Sequence, residues 1–383
     1  MKPSARLLRA LKPLTSDYTF SSRSPAIYSL GLSYASKNSP PFVPKNERAP
    51  RYGYAGYRND HGAALISEWV KSSLDRRAGR GELTVDKPGG WDERLQDETR
   101  RWGAGEDFYA VDVPETSSSS SSDPPVHFAI SDGVGGWSDV VDPSFFSQAL
   151  MYHYAKSSSS LETAHPRAIL KQAYERVLKE ESVVAGSATA CGIAVDSKGV
   201  LRGVNMGDSG CTILRDGKVI FETPALTHYF NCPTQLTKTP KGMDASGVVR
   251  DQPDNEKCSD TFEAQLQPGD IILLYTDGLS DNVPSAHFPL LLSHLRGIMD
   301  HPDNADLSPA ERDSELARLF ADVLVAYGRR AMVRTGEEVD ESGKPSWKTP
   351  FEVEAKKAGL NFKGGKIDDI TVLASVVSEL HPE

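Results

Sequence analysis

Two short runs that are almost wholly apolar, FAIS (128–131) and IILLY (271–275), each stop beside an acid followed at once by glycine, in ISDGVGG and YTDGLSDN. Runs of this length bounded by turn formers read as buried strands, since a buried helix needs more residues. Further strand candidates are FYAVDV, SATACGIAVD, LRGVNMG, CTILRDGKVIFE and ITVLASVV. Tight turns join neighbouring candidates, and Asp216-Gly217 marks a hairpin. Helical spacing appears in VDPSFFSQALMYHYAKS, starting at Pro143 with Asp142 as cap. It recurs in HPRAILKQAYERVLKEE, with Leu170, Ala173, Tyr174, Val177 and Leu178 on one face. A third stretch, SPAERDSELARLFADVLVAYGRRA, aligns Leu316, Leu319, Phe320 and Val323 behind a Ser-Pro start. The first two helices follow one another directly instead of alternating with strands. This predicts an α+β fold of antiparallel sheets with helices packed outside them.

Acids cluster at the ends of these strands. Glu106 and Asp107 precede FYAVDV, and Asp132 follows the run ending at Ser131. Asp277 follows IILLY, Asp281 comes one helical turn later, and Asp368 and Asp369 precede the last strand. Antiparallel neighbours run in opposite directions, so strand ends and strand beginnings share one rim of a sheet. Carboxylates gathered there repel and raise one another's pKa. A divalent cation relieves that conflict, and oxygen-only ligands select hard ions such as Mg²⁺ or Mn²⁺. Gly133 and Gly278 let the chain turn sharply beside the acids and offer a carbonyl as a further ligand. An Asp-Gly pair alone is a common turn, and RDGK (215–218) is read as one without chemistry.

With 383 residues, 38% hydrophobic and 25% charged, the chain reads as globular, and no apolar run reaches the length of a membrane span. A formal charge of −10 argues against nucleic acid as a partner. Residues 1–37 stand apart: Lys2, Arg6, Arg9, Lys12, Arg23 and Lys37 face the single acid Asp17. Leu7, Leu11 and Leu14 recur there at helical spacing, and serines follow. A basic, serine-rich, acid-poor amphipathic start has the composition of a mitochondrial presequence, which predicts a matrix address. Residues 38–100 read as linker and an unassigned segment with a short helix near 64–74, and 101–380 as the main folded domain, which the resemblance below makes the catalytic one. Cys191, Cys211, Cys232 and Cys258 are too scattered for a zinc site and read as ordinary thiols.

The ordered set GED, ISDGVGGW, SATACGIAV, VNMGDSG, YTDGLSDN and GGKIDDITVL resembles the metal-dependent protein phosphatases, the PPM or type 2C family. DPSFFSQALM, LTHYFNCPTQL and AGLNFKGGKIDDITVL are similar to its mitochondrial branch. The resemblance implies a four-layer αββα sandwich with a binuclear site for two Mg²⁺ or Mn²⁺ ions. It implies that Asp132 bridges both ions and that the Gly133 carbonyl binds one. Asp277 and Asp368 would complete the other shell, and Asp107, supported by Glu106, would hold the first ion through water. Asp281 and Asp369 are further possible ligands, with Asp368 preferred over Asp369. MGDSG, with Asp208, resembles a motif read as structural. The implied reaction is hydrolysis of phosphoserine and phosphothreonine in phosphoprotein substrates, mitochondrial metabolic enzymes among them. Alternatives are a phosphatase-like adaptor and a small-molecule phosphoesterase. Where many members carry a histidine after the bridging Asp-Gly, this chain has Val134. His228 is therefore a candidate general acid, and Arg100 and Arg101 lie out of register for a phosphate anchor.

Overall fold

The computed structural model describes residues 16–20, 27–37, 104–112, 124–158, 165–181, 183–244, 246–300, 307–339, 343 and 346–379. The strands in chain order begin with β1 (Ser16–Phe20), β2 (Ile27–Ala35), β3 (Phe108–Asp112), β4 (Val126–Ser131) and β5 (Gly186–Ala188). They continue with β6 (Ala190–Val195), β7 (Val200–Met206), β8 (Gly210–Arg215), β9 (Lys218–Glu222) and β10 (Thr227–Tyr229). The remainder are β11 (Cys232–Pro233), β12 (Leu236–Lys238), β13 (Asp260–Gln265), β14 (Ile271–Tyr275) and β15 (Ile370–Glu379). One sheet has six strands in the order β1-β2-β15-β14-β8-β9, the other five in the order β13-β7-β6-β4-β3. All their pairings are antiparallel. The predicted hairpin joins β8 to β9, with Asp216 and Gly217 both at positive φ.

The helices are α1 (Ser144–Ser158), α2 (Pro166–Lys179), α3 (Asp277–Ser280), α4 (Phe288–Met299), α5 (Pro309–Met332) and α6 (Pro350–Lys357). α1 packs on β3 and β4, and α2 packs on α1, β6 and β7, covering the five-stranded sheet. α5 lies across β2 and β15 on the six-stranded sheet, with α4 beside it. Alternation along the strands explains the layers. Leu30, Leu32, Ile272, Leu274 and Leu373 join the core shared with the five-stranded sheet. Ile271, Leu273, Val372 and Val376 turn the other way, onto α4 and α5. Both faces are covered, which is why the residues between these apolar positions are small or buried as well, Ser29, Ser33, Thr371 and Ser375 among them. The arrangement is the expected α+β sandwich of helix, sheet, sheet and helix.

Three expectations are corrected. The stretch assigned to a leader up to residue 37 contains β2, an inner strand paired with β1 on one side and β15 on the other. Tyr28, Leu30, Leu32 and Tyr34 are buried in it, so the basic composition of 1–37 does not mark one structural unit, and the catalytic fold begins well before residue 101. Leu178, placed on the buried face of α2, is 42% exposed, because that face ends at Val177, two residues before the helix stops at Lys179. α1 starts at Ser144, whose N–H and hydroxyl both donate to Asp142 Oδ1 at 3.0 and 2.6 Å. The linker at 38–60, the helix near 64–74 and the leucine repeat at 7–14 lie outside the described residues.

Candidate metal centre

Strand pairing brings the acids to one rim. Phe108 lies opposite Ser131, so Asp107 just before β3 and Asp132 just after β4 leave the five-stranded sheet at the same end. In the six-stranded sheet Tyr275 lies opposite both Gly210 and Val372, which sets Asp277 and Asp368 at one end of β14 and β15. Asp208 sits in the turn carrying the chain from β7 in one sheet to β8 in the other. Carboxylate oxygens of Asp132, Asp208 and Asp277 lie within 4.8 Å of one another.

Close approach explains the glycines. A Cβ on Gly133 would stand 2.6 Å from the Glu106 carbonyl oxygen, which accepts the Gly133 N–H at 3.1 Å. A Cβ on Gly278 would stand 1.9 Å from the Asp369 carbonyl oxygen. Both glycines follow a cluster acid immediately, and any side chain there would push apart neighbouring strand ends of one sheet, β3 from β4 and β14 from β15.

Asp107 is buried, and its Oδ2 accepts from Thr276 Oγ1 at 2.8 Å, tying the two sheets together beside Asp277. Asp107 Oδ1, Asp208 Oδ1 and Asp277 Oδ1 are buried without a hydrogen-bond partner. Orphaned acceptors of this kind are costly and rare in folded proteins. Loss of solvation pushes the Asp132 carboxyl well above the usual carboxylate range, and Asp277, Asp107, Asp368 and Asp208 add to it. Burial raises Asp107 with help from Asp369, and raises Asp208 with help from Asp277 and Asp281. A crowded, oxygen-only, partly orphaned set of acids fits a hard divalent cation such as Mg²⁺ or Mn²⁺.

Two lysines bracket the cluster. Lys366 Nζ lies 2.5 Å from Asp277 Oδ2, 2.8 Å from Asp281 Oδ2 and 3.0 Å from Asp368 Oδ2. Burial alone would lower its pKa, but Asp277, Asp368 and Asp281 outweigh that and hold it well above the ordinary lysine value. Lys37 Nζ lies 3.0 Å from Glu106 Oε2, 3.1 Å from Asp369 Oδ2 and 3.5 Å from Asp368 Oδ1. Between two ammonium groups, the Asp368 carboxyl falls below its usual range although burial opposes this. Burial drives Glu106 up to about 7 despite Lys37, and Asp281 up to about 7 despite Lys366.

The remaining sequence candidates take other places. Asp369 accepts the Lys37 N–H at 2.7 Å and the Glu106 N–H at 3.0 Å, joining the end of β2 to the start of β3. His228 Nε2 lies 2.9 Å from Asp251 Oδ2, which also accepts the Gln235 N–H. None of its hydrogen bonds among the described residues reaches the acids, so the histidine braces its own segment. Asp208, assigned a structural role from its motif, instead belongs to the three-acid group. A turn between two strands of opposite sheets was the signal for it. Lys37 and Lys366 were also missed, the first because it fell in the basic start.

No family model matches the chain. The protein phosphatase PTC7 homolog of Homo sapiens is 34% identical over 324 residues, covering 80% of this chain and 93% of that protein. The Danio rerio PTC7 homolog is 35% identical over 254 residues, covering 65% and 76%. Among solved structures, the photosystem II phosphatase PBCP superposes with a TM-score of 0.51 at 25% identity, over 72% of this chain and 92% of that one. The chain of sandwich, rim acids and shared sequence thus belongs to the PPM-type, metal-dependent protein phosphatase family, in company with the PTC7 homologues.

Proposed function

We propose that this protein hydrolyses phosphoserine and phosphothreonine in proteins with two Mg²⁺ or Mn²⁺ ions held at the rim. The observation that carries the reading is the convergence of Asp132, Asp208 and Asp277 from both sheets, with buried oxygens left without protein donors. Asp132, the Gly133 carbonyl, Asp277 and Asp368 would hold the ions, with Asp107 and Asp208 as further acids at the same rim. Two bound cations would supply an activated water for attack at phosphorus and charge to stabilise the phosphoryl oxygens. The chain's own part is to fix that rim. Thr276 orients Asp107, Gly133 and Gly278 allow neighbouring strand ends to approach closely, and Asp369 locks Glu106 to the end of β2. No covalent phospho-enzyme is required in this reading. The full chain with Mn²⁺ should release phosphate from phosphoserine and phosphothreonine peptides and stop on chelation. A folded, Mn²⁺-loaded sample without turnover on any phosphopeptide would overturn the reading.

The proposed address is the mitochondrial matrix, supported by Lys2, Arg6, Arg9 and Lys12 in an acid-free stretch of serine and leucine. Any removable leader must end ahead of β2. Residues 1–15 fused to a fluorescent protein should direct it to mitochondria, and a diffuse signal would reject the address. The proposed partners are mitochondrial phosphoproteins, metabolic enzymes among them.

A further inference from the structure

We infer that Lys366 is a phosphate-binding residue of this site, the cation that meets the substrate's phosphoryl oxygens. The inference rests on the phosphatase reading above. Eight carboxylates stand at or against the rim: Glu106, Asp107, Asp132, Asp208, Asp277, Asp281, Asp368 and Asp369. Against them stand the ammonium groups of Lys37 and Lys366 and the Arg329 guanidinium beside Asp369. With every group charged, five negative charges remain, and two divalent ions cancel only four. A phosphate monoester dianion entering such a place is repelled unless a positive side chain receives it.

The two lysines are not equivalent. Lys37 has its two shorter contacts with Glu106 and Asp369, acids engaged in joining β2 to β3, and only a 3.5 Å contact with Asp368. Lys366 holds Asp277 and Asp368, the acids assigned to the ions, together with Asp281. Oxygens given to cations leave its N–H donors to Asp281 and to an incoming anion. The side chain is 18% exposed, so it reaches solvent at the rim. Its backbone is held as well. The Lys366 N–H donates to Asn282 Oδ1 at 2.9 Å, and Asn282 Nδ2 donates to the Lys366 carbonyl at 2.9 Å and to Gly278 O at 3.0 Å. The Phe351 ring lies under the ammonium group, 5.2 Å from Nζ to its centroid. Asp281 is then a tether for Lys366 more than a ligand. A held cation of this kind fills the place of the phosphate anchor, for which Arg100 and Arg101 lie out of register in the sequence.

The test uses the full chain with Mn²⁺ and inorganic phosphate as the probe. Mn²⁺ binding is measured by calorimetry, phosphate binding by equilibrium dialysis, and KM and kcat on a phosphoserine peptide. Lys366→Met should weaken phosphate binding and raise KM by about 10- to 100-fold, the effect of losing one hydrogen bond to a charged group. Mn²⁺ binding should be no weaker than in the parent, and Lys366→Arg, which keeps both charge and loop, should recover most of the phosphate affinity. Phosphate binding by Lys366→Met within a factor of about two of the parent overturns the assignment. So does a loss of Mn²⁺ binding in both variants, since the lysine would then only organise the acids. A parent protein that binds phosphate but hydrolyses no phosphopeptide would count against the proposed function and leave the lysine's role standing.

Discussion

Asp132 leaves β4 into a region where Asp277, Asp107, Asp368 and Asp208 crowd it with like charge, and its carboxyl is pushed upward mainly by desolvation. Removing its charge therefore relieves repulsion in the metal-free protein. Asp132→Asn should abolish Mn²⁺-dependent turnover while its melting temperature in chelator equals or exceeds that of the parent. A sharply lower melting temperature would mean the acid supports the fold itself. The same logic gives a pH dependence. Glu106 and Asp281 titrate near 7 in the folded chain and near their ordinary values of 4.5 and 3.8 when unfolded. The folded state thus binds more protons between those limits, so stability rises as pH falls from about 7 toward about 5. Thermal melts in chelator between those pH values check this, and saturating Mn²⁺ should reverse the trend, because ligands must lose their protons. Glycine at 278 is a steric requirement, with the Asp369 carbonyl 1.9 Å from any Cβ. Gly278→Ala should destabilise by about 2 kcal/mol or more and lower Mn²⁺ affinity, both readable by calorimetry.

At the scale of elements, β2 is the informative one. Its composition, serine- and glycine-containing and following a basic stretch, reads as leader, yet it lies between β1 and β15 with Tyr28, Leu30, Leu32 and Tyr34 buried. Burying each such side chain stabilises by roughly 1.5–3 kcal/mol, against a total of about 5–15 kcal/mol for a folded domain. A chain beginning at Asn38 should accordingly lose its cooperative melt, whereas one beginning at Ser16 keeps it. Circular dichroism of the two separates the cases. Elements with strong local signals were legible from sequence. Ser308 and Glu311 form the reciprocal cap of α5, and Asp216-Gly217 makes the turn its residue types require. β2 was not legible, because a strand whose apolar residues are spaced by serine and glycine has a weak pattern of its own. It becomes a strand through the partners on either side.

For the molecule as a whole, the rim works as a fastener between the two sheets. Asp107 and Asp132 come from one, Asp277 and Asp368 from the other, and Asp208 from the turn that links them. Cations bound there cross-brace both layers and stabilise the native state by mass action, about 2.7 kcal/mol at a hundredfold excess over the dissociation constant. Mn²⁺ should raise the melting temperature by about 3 °C or more for a chain this long, and a shift indistinguishable from zero would show that the acids do not share an ion. By itself the sequence determined the layered α+β fold, the caps and turns, and the acids Asp107, Asp132, Asp277 and Asp368 at strand ends, since these follow from short-range periodicity and residue type. Only the tertiary structure decided that Asp208 joins them, that Asp369 and His228 are braces, and that Lys37 and Lys366 face the rim. Those assignments depend on which strand ends meet across two sheets, a matter of long-range pairing on which neighbouring residues carry no information.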